Sequence, residues 1–257
     1  MWHLFFLAAF LLSSISCQTT STSFSGVQGT YWGSSQWANG YLLLFYFYCC
    51  ISKAFVICLI FITLFLSLSN CKFQDWPQPN GLPTAAVAGN LYSGAKYCGA
   101  CIDVTSKAGI TKRGIISDNC PGCPSNALDL SPDLWNSVTN NESPGIETLN
   151  WKIVDCGYTS PISLITKDGV TVSWFAMQAA GHNEPISSLE VKPAGGSTWL
   201  KASREEYNYF TLGDGQKSMN NAKTASIRVT CSNGKTITTE SVPIDQPQKV
   251  TSASGNC

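Results

Sequence analysis

Residues 117–135 carry the sequence SDNCPGCPSNALDLSPDLW, which predicts the local structure around two acidic side chains. Ser131 followed by Pro132 is typical of a helix start, because Ser caps free backbone amides and Pro fits the first turn. We therefore predict a short helix beginning after Ser131. Asp129 lies just before that helix, and Asp118 lies at the end of the apolar strand upstream.

The two carboxylates can be interpreted chemically or structurally. Glycoside hydrolysis needs two carboxyl groups across the scissile bond, one as acid and one as base or nucleophile. Asp129 lies between two leucines, and partial desolvation there would raise its pKa and suit an acid. The structural alternatives are an Asx-turn at Asp118 and a helix-entry residue at Asp129 that bonds backbone amides. The residues alone favour these structural alternatives.

The surrounding sequence is rich in predicted β-strands. A Ser-Lys-Ala-Gly turn between residues 104–105 and 110–117 predicts a hairpin, and alternating apolar residues predict a strand over 147–156. Trp151 in that strand is a predicted core residue. Residues 157–161, a Gly- and Pro-containing stretch, are the predicted boundary between two domains.

The second half is predicted to be an antiparallel sandwich without helices, since about seven short strands occupy about 100 residues. Asn233-Gly234 between two alternating segments is a strong signal for a type I′ hairpin. Trp199 is a further predicted core residue. The predicted strands include residues 162–166, 170–179, 186–192, 226–231 and 236–242.

The composition excludes several kinds of partner. Charged residues make up 12% of the 257 residues, and 16 basic side chains balance 16 acidic ones. A neutral surface offers no basic field to nucleic acid or to an anionic membrane, so neither is a predicted partner. The chain contains two histidines, and a His-rich metal centre is therefore not predicted.

Two apolar segments are predicted to lie outside the folded product. Residues 1–17 resemble a secretory signal peptide, because their apolar run is too short for a membrane span. Residues 41–69 contain one charged residue, Lys53, and have the hydropathy of a span. A true span would separate the sequences before and after it, which one fold has to combine. We interpret residues 41–69 as foreign to the domain, most simply a retained intron in the coding sequence.

Eight of the twelve cysteines remain once both segments are set aside. An even number in a secreted chain indicates a disulfide framework. The alternative is a zinc ribbon, because the pairs at 98–101 and 120–123 have the spacing of a four-thiolate site. Such a site would leave four cysteines unexplained in an oxidising compartment, so we predict disulfides and no metal or cofactor. The eight are Cys71, Cys98, Cys101, Cys120, Cys123, Cys156, Cys231 and Cys257.

Short segments in a fixed order resemble the microbial and fungal expansin-like proteins. The resemblance implies an all-β fold: a six-stranded double-psi β-barrel over residues 22–158, interrupted by 41–69, followed by an immunoglobulin-like β-sandwich over 161–257. It also implies a secreted monomer that binds cellulose or a related cell-wall polysaccharide and loosens it without hydrolysis. The segments are GTYWG (29–33), CGAC (98–101), SDNCPGC (117–123), ALDLSPDLW (127–135), WKIVDCG (151–157), SWFAMQAAGHNEPISSLEV (173–191) and EEYNYF (205–210).

The resemblance assigns residues to a groove on the barrel. Asp129 matches the family's essential Asp in its LDLS motif, and Thr30 and Asp118 match two other polar groove residues. Tyr31 is a further predicted polysaccharide contact. Cys120 is a departure, because the family often carries a Tyr at that position, so the groove is expected to lack one aromatic contact.

A second set of residues matches an aromatic platform on the sandwich. Trp174, Phe175 and Tyr207 match the flat surface on which the family stacks glucan chains, since aromatic faces suit pyranose rings. Strict strand alternation sends Trp174 and Phe175 to opposite faces, and both can be exposed only if a bulge intervenes. Lys167 and His182 match positions near this platform, although ordinary turn residues are an equal alternative.

The same resemblance implies how the eight cysteines pair. Three of the pairs follow from it, and the remaining two cysteines are left for each other. The implied disulfides are Cys71–Cys98, Cys101–Cys156, Cys120–Cys123 and Cys231–Cys257.

Two other functions remain open. One is a weak glycoside hydrolase or a lytic transglycosylase acting through Asp129, as in the barrel domains of rare lipoprotein A. Related family 45 hydrolases carry a catalytic Asp after a Tyr-Trp pair, whereas Gly33 follows that pair here, which favours a non-hydrolytic groove. Asp118 is the substitute that would restore a second carboxylate. The other is a barwin-like binding or defence module, which consists of the barrel alone and does not account for the predicted sandwich.

Overall fold

The structure is a computed structural model that describes residues 22–31, 69–73, 76, 78, 80–143, 145–213 and 219–257. The predicted signal peptide, residues 1–17, and all of the predicted foreign block except Ser69 lie outside the described residues. Among the helices that are described, none is long and apolar enough to cross a membrane. Both interpretations of these segments stay predictions.

A closed barrel of six strands forms the first half of the described chain, which confirms the predicted architecture. The elements are β1 (Ser23–Tyr31), β2 (Thr84–Ala88), α1 (Gly89–Tyr92), β3 (Cys101–Ser106), β4 (Thr111–Cys120), β5 (Leu128–Leu130), α2 (Pro132–Thr139) and β6 (Ile146–Val154). Around the barrel the order is β1-β5-β2-β4-β3-β6. The pairs β1–β5 and β2–β4 are parallel, and the predicted hairpin is the antiparallel pair β3–β4.

Alternating side chains fill the barrel, as the sequence predicts for β6. Leu149 and Trp151 are buried while the residues between and beside them are exposed. Helix α2 also begins as predicted, with the Ser131 hydroxyl accepting a hydrogen bond from the Leu134 amide and Pro132 in the first turn. The buried side of α2 packs on the barrel and thereby fixes the position of β5, which immediately precedes it.

The second half is a sandwich of eight antiparallel strands in the order β13-β12-β9-β10-β11-β8-β7-β14. Strand β10 joins the two layers, because residues 200–202 pair with β9 and residues 203–204 pair with β11. Buried side chains from both layers form one core. The strands are β7 (Ser163–Thr166), β8 (Ala176–Ala180), β9 (Ile186–Pro193), β10 (Leu200–Arg204), β11 (Phe210–Thr211), β12 (Thr224–Cys231), β13 (Thr236–Pro243) and β14 (Val250–Ser252).

One predicted strand in this half begins later than the sequence suggests. Thr171 and Trp174 bond each other's backbone, with N···O distances of 3.0 and 3.1 Å, and so form a tight turn. Strand β8 starts only at Ala176, and not at residue 170. The predicted hairpin at Asn233-Gly234 is confirmed, but its predicted type I′ turn is wrong, because Gly234 has a positive φ of +85° and Asn233 does not.

Trp199 is not a core residue, which corrects the sequence-based prediction. Its side chain is half-buried, with the Arg228 guanidinium carbon 4.3 Å and the Lys192 ammonium 5.1 Å from its ring centroid. Both cations come from neighbouring strands β9 and β12, and Arg228 is itself paired with Glu190. The indole therefore packs against charged side chains at the surface of the sandwich.

Four disulfides cross-link the described chain, and each is a pair implied by the resemblance. The two Cys-x-x-Cys motifs contribute to three different disulfides rather than to one four-thiolate group, which agrees with the predicted framework. The bonds are Cys71–Cys98, Cys101–Cys156, Cys120–Cys123 and Cys231–Cys257, with sequence separations of 27, 55, 3 and 26.

The barrel and the sandwich meet along a buried seam. Ile165 and Ala180 of the sandwich belong to the hydrophobic core of the barrel. Asn183 adds polar contacts, since its carbonyl accepts from the Cys156 amide at 3.2 Å and its side chain exchanges two hydrogen bonds with the Tyr158 backbone. The surfaces of the two β units are therefore held in a fixed relation near this seam.

Candidate functional site

Three polar side chains lie in one row across neighbouring strands of the barrel. Thr30 on β1 is opposite Asp129 on β5. Asp129 is opposite Ala86 on β2, which in turn is opposite Asp118 on β4. Residues in register on adjacent strands share a face of the sheet, and the leucines beside Asp129 are fully buried in the interior. The row of Thr30, Asp129, Ala86 and Asp118, here named the polar row, therefore lies on the outer surface.

Asp129 is bonded directly to Thr30 within the polar row. The Thr30 hydroxyl donates to Asp129 Oδ1 at 2.5 Å. Partial burial raises the pKa of Asp129 above its ordinary value, and the hydrogen bond from Thr30 opposes that rise because it favours the ionised form. Two of the three predicted groove residues are thus a contacting pair.

Asp118 is held by backbone amides rather than by a polar side chain. Its Oδ1 accepts hydrogen bonds from the Asn119 amide at 2.8 Å and from the Asn70 amide at 2.7 Å. Burial raises the pKa of Asp118, while these two amides and the positive charge of Lys72 act in the opposite direction. The Asn119 contact is local, but the Asn70 contact ties a distant segment to the end of β4.

An apolar patch adjoins the Thr30 end of the polar row. Ile146 on β6 is opposite Thr30 and is 58% exposed. Tyr31 is 47% exposed, and its ring lies 5.4 Å from the Trp135 ring, measured between centroids. Tyr31 also lies directly against the Gly145 backbone, where a Cβ would come within 2.0 Å of its ring. Tyr31 was predicted as a ligand contact, whereas Ile146 carried no motif by which the sequence would single it out.

The sandwich presents two exposed aromatic side chains, as predicted for the platform. Trp174, at the end of the turn before β8, is 37% exposed, and Tyr207, in the loop between β10 and β11, is 36% exposed. Lys167, directly after β7, has its ammonium 5.9 Å from the ring centroids of both Trp174 and Tyr209. Tyr209 in turn lies 6.0 Å from the Tyr207 ring. We use the name platform for Trp174, Tyr207 and Lys167.

Two predicted neighbours of the platform are buried instead. Phe175 is 1% exposed, because the turn that ends at Trp174 returns the chain to strand alternation and sends the next side chain into the core. His182 is fully buried and its Nε2 lies 3.1 Å from the Cys98 carbonyl oxygen across the seam. The side chain packs so closely on Gly99 that a Cβ there would lie 2.8 Å from Nε2. The predicted exposure of Phe175 on the platform and of His182 near it is therefore wrong.

Lys72 connects the polar row to the platform. Burial lowers the pKa of Lys72, the Asp118 carboxylate opposes that effect, and the nearby Lys167 ammonium adds to it. Burial and the Glu205 carboxylate raise the pKa of the Tyr207 hydroxyl, and the Lys167 ammonium opposes that rise. Lys72 is therefore close enough to both Asp118 and Lys167 for their charges to act on it. No motif in the sequence pointed to Lys72, because its interactions with Asp118 and Lys167 depend on how the two β units pack.

Solved structures with a similar fold include a bacterial expansin. The crystal structure of an apo expansin of Clavibacter michiganensis matches with a TM-score of 0.68 and 20% identity, over 91% of this chain and 98% of that chain. A mutant of that expansin in complex with cellohexaose matches with a TM-score of 0.68 and 19% identity. In sequence, 151 residues are 34% identical to Expansin-like protein 2 of Dictyostelium discoideum. The chain is therefore similar to expansins in fold and, over about half of its length, to expansin-like proteins in sequence.

The sequence matches are partial. The match to Expansin-like protein 2 covers 55% of this chain and 36% of that relative. Expansin-like protein 1 of the same organism is 29% identical, over 55% of this chain and 52% of the relative. Expansin-YoaJ of Bacillus subtilis is 27% identical over 138 residues, which is 52% of this chain and 58% of the relative. This chain therefore matches between about a third and three fifths of each relative's length. No family profile matches the chain.

Proposed function

We propose that this expansin-like chain is secreted, binds cellulose or a related cell-wall polysaccharide, and loosens it without hydrolysis. The observation that carries the proposal is that Lys72 interacts electrostatically both with Asp118 of the polar row and with Lys167 of the platform. A polymer chain that stacks on Trp174 and Tyr207 would then continue past Asp118 to Asp129. The resemblance to expansins, one of which was crystallised with cellohexaose, supports this choice of ligand.

The platform has the chemistry that an uncharged glucan requires. A pyranose ring has apolar C–H faces and polar edges, so it stacks on an aromatic face while its hydroxyls stay hydrated or bonded. Trp174 supplies the larger face, and the Lys167 ammonium near that ring supplies a donor for sugar hydroxyls. The near-neutral chain also adds no net repulsion or attraction for a neutral polymer.

The polar row is proposed to loosen the polymer through competing hydrogen bonds. An ionised carboxylate is a strong acceptor, and charge-assisted hydrogen bonds are about twice as strong as neutral ones. In this proposal Asp129 accepts from a sugar hydroxyl with the oxygen that Thr30 does not engage. Sugar–protein bonds then replace bonds between neighbouring polysaccharide chains. No covalent bond forms or breaks in such a step.

Weak hydrolysis is the second candidate, because one observation favours it. Asp118 and Asp129 are two strands apart, or about 9.6 Å between Cα atoms from the usual strand spacing. Because side chains on one face of a sheet can lean towards each other, this Cα spacing allows the carboxyl groups to lie within the range of about 6.5–9.5 Å found in inverting glycosidases. Burial raises the pKa of both carboxyl groups, which suits an acid at either position, and the amide hydrogen bonds that oppose this rise at Asp118 make Asp118 the candidate base.

An assay that scores three signals together separates these two functions. The protein is applied to cellulose and, in parallel, to peptidoglycan, with measurement of binding, mechanical weakening and soluble sugar release. Non-hydrolytic loosening predicts weakening of cellulose with sugar release at the background level, and loss of weakening in Asp129→Asn. Sugar release that disappears in Asp129→Asn would establish hydrolysis instead. Release from peptidoglycan alone would identify a lytic transglycosylase.

A further inference from the structure

The loop between β10 and β11 carries the platform residue Tyr207 and is closed on itself. In this platform loop, residues 205–209, the Glu205 amide donates to the Tyr209 carbonyl at 2.8 Å and the Asn208 amide donates to the Glu205 carbonyl at 2.9 Å. Asn208 and Tyr209 are buried, while the Tyr207 side chain is exposed. The orientation of Tyr207 therefore depends on the barrel residues that contact the buried side of this loop.

The barrel holds this loop through Tyr92 at the end of α1. Tyr92 is 4% exposed, and its hydroxyl donates to the carbonyl oxygen of Glu206, the residue before Tyr207. The sulfur of Cys98 lies 3.7 Å from the same hydroxyl and, being in a disulfide, carries no proton to donate. Burial and the nearby Asp118 carboxylate raise the pKa of the Tyr92 hydroxyl, so Tyr92 is close to the polar row as well as to the platform loop.

Two further contacts keep the sandwich on the barrel independently of Tyr92. Asn208 Nδ2 donates to the Cys71 carbonyl at 3.1 Å. Arg204 Nη1 donates to the Lys96 carbonyl at 3.1 Å. Loss of the Tyr92 hydroxyl would therefore leave the seam closed and free the segment nearest to Tyr207.

We propose that Tyr92 is a positioning residue, which holds the platform loop so that Tyr207 is aligned with the polar row and one glucan chain contacts both. This rests on the proposed function, because it assumes that Tyr207 binds the polysaccharide. The role belongs to the hydroxyl group and not to the ring, since the Glu206 carbonyl needs a donor. Tyr92 itself is buried and touches no ligand.

The test is a double-mutant cycle on cellulose binding. Tyr92→Phe is expected to weaken binding about 3- to 10-fold, the effect of one neutral hydrogen bond. Combined with Tyr207→Ala, it should cause no further loss, because Tyr207 is the group that it positions. Combined with Trp174→Ala, its effect should multiply, because Trp174 belongs to a different turn.

Tyr158→Phe is the matched control for this cycle. Its hydroxyl is also buried near the seam but has no hydrogen-bond partner in the described part of the chain. Tyr158→Phe is therefore expected to leave cellulose binding unchanged. Equal losses in Tyr92→Phe and Tyr158→Phe, or a Tyr92→Phe effect that multiplies with Tyr207→Ala, would overturn the positioning role.

Hydrogen exchange keeps the test independent of the ligand. Tyr92→Phe should speed exchange at the Glu205 and Asn208 amides, and unchanged rates there would overturn the proposal even if cellulose is not the ligand. If Trp174→Ala and Tyr207→Ala both leave binding unchanged, the proposed function fails, while faster exchange would still support the positioning role. Asn208→Gly is a second variant, because glycine tolerates the φ of +61° at that position. It should weaken cellulose binding in the wild-type background but cause no further loss in the Tyr207→Ala background.

Discussion

The polar row and the platform are built in different ways. Thr30, Asp129 and Asp118 lie on regular strands, and their alignment follows from backbone register across four strands of a closed barrel. Trp174 and Tyr207 lie on a turn and a loop, and the loop rests on contacts with the barrel. The geometry of the row should therefore tolerate local changes, whereas that of the platform should depend on the seam.

Removing either of two disulfides with nearly equal loop lengths should give the largest loss of stability. Comparing the two variants should show whether the platform depends on the seam more than the polar row does. Cys71–Cys98 and Cys231–Cys257 have sequence separations of 27 and 26, so loop entropy predicts that loss of either costs about 3.5 kcal/mol of unfolding free energy. The Cys71 carbonyl accepts from Gln178 and Asn208 of the sandwich. Denaturant unfolding and cellulose binding are measured on both double Cys→Ala variants.

Binding distinguishes the two disulfides where stability does not. Loss of Cys71–Cys98 should weaken cellulose binding beyond its effect on folding, because it loosens the segment beneath the platform loop. Loss of Cys231–Cys257 should leave the affinity of the folded fraction unchanged. Equal binding losses in both variants would show that the platform does not depend on the seam.

Lowering the pH should reduce the unfolding free energy through His182, which is buried at the seam. Burial lowers the pKa of His182 from 6.5 to about 3, so the folded protein keeps this side chain neutral while the unfolded chain protonates near pH 6.5. Stability from this group is complete above pH 6.5 and falls with pH, by up to about 1.4 kcal/mol per pH unit. Between pH 6.5 and 5.5 the wild type should lose about 1 kcal/mol more than His182→Gln. Parallel urea curves for the two proteins would contradict this assignment.

Trp174→Ala should weaken cellulose binding about 5- to 10-fold, which corresponds to about 1 kcal/mol of stacking. Trp199→Ala is the matched control, because Trp199 is also half-buried but packs on Lys192 and Arg228 away from the platform. Depletion binding to insoluble cellulose measures both. Equal losses for the two variants would mean that tryptophan removal acts through general destabilisation.

Asp129→Asn should have the smallest effect on stability. Burial raises the pKa of Asp129, so the folded state favours the protonated form. Stability from this group is greatest below the unfolded pKa and declines as pH rises through the raised folded value. Asn does not ionise and still accepts from Thr30, so the variant should match or slightly exceed the wild type at neutral pH. A marked loss in unfolding free energy there would show that the ionised carboxylate is structurally required.

The sequence predicted the parts of this molecule that depend on local pattern. The capped helix after Ser131, the β3–β4 hairpin and the Asn233-Gly234 hairpin each have a short-range signal, and all three are confirmed. Short strands such as β2 and β11 were not predicted, because they lack alternation and are defined by their neighbours. The family resemblance supplied the disulfide pairs, for which spacing alone allowed many alternatives.

The candidate site likewise has parts that local sequence predicts and parts that depend on tertiary packing. Asp118 and Asp129 were identifiable from their positions at a strand end and before a helix, but their alignment through Ala86 follows from barrel closure. Phe175 was misplaced because a turn at Trp174 is not distinguishable from a bulge in sequence. Lys72 was missed because its role arises where the barrel meets the sandwich.

The most direct test of the account is an NMR titration with cellohexaose, following backbone amides on both β units. One continuous site predicts that the amides of Trp174 and Tyr207 and those of Thr30 and Asp129 shift with the same dissociation constant. Trp174→Ala should then weaken the response at Asp129 as much as at Tyr207. Saturation of the platform without shifts at Thr30 and Asp129, or two different dissociation constants, would contradict a single site that spans both β units.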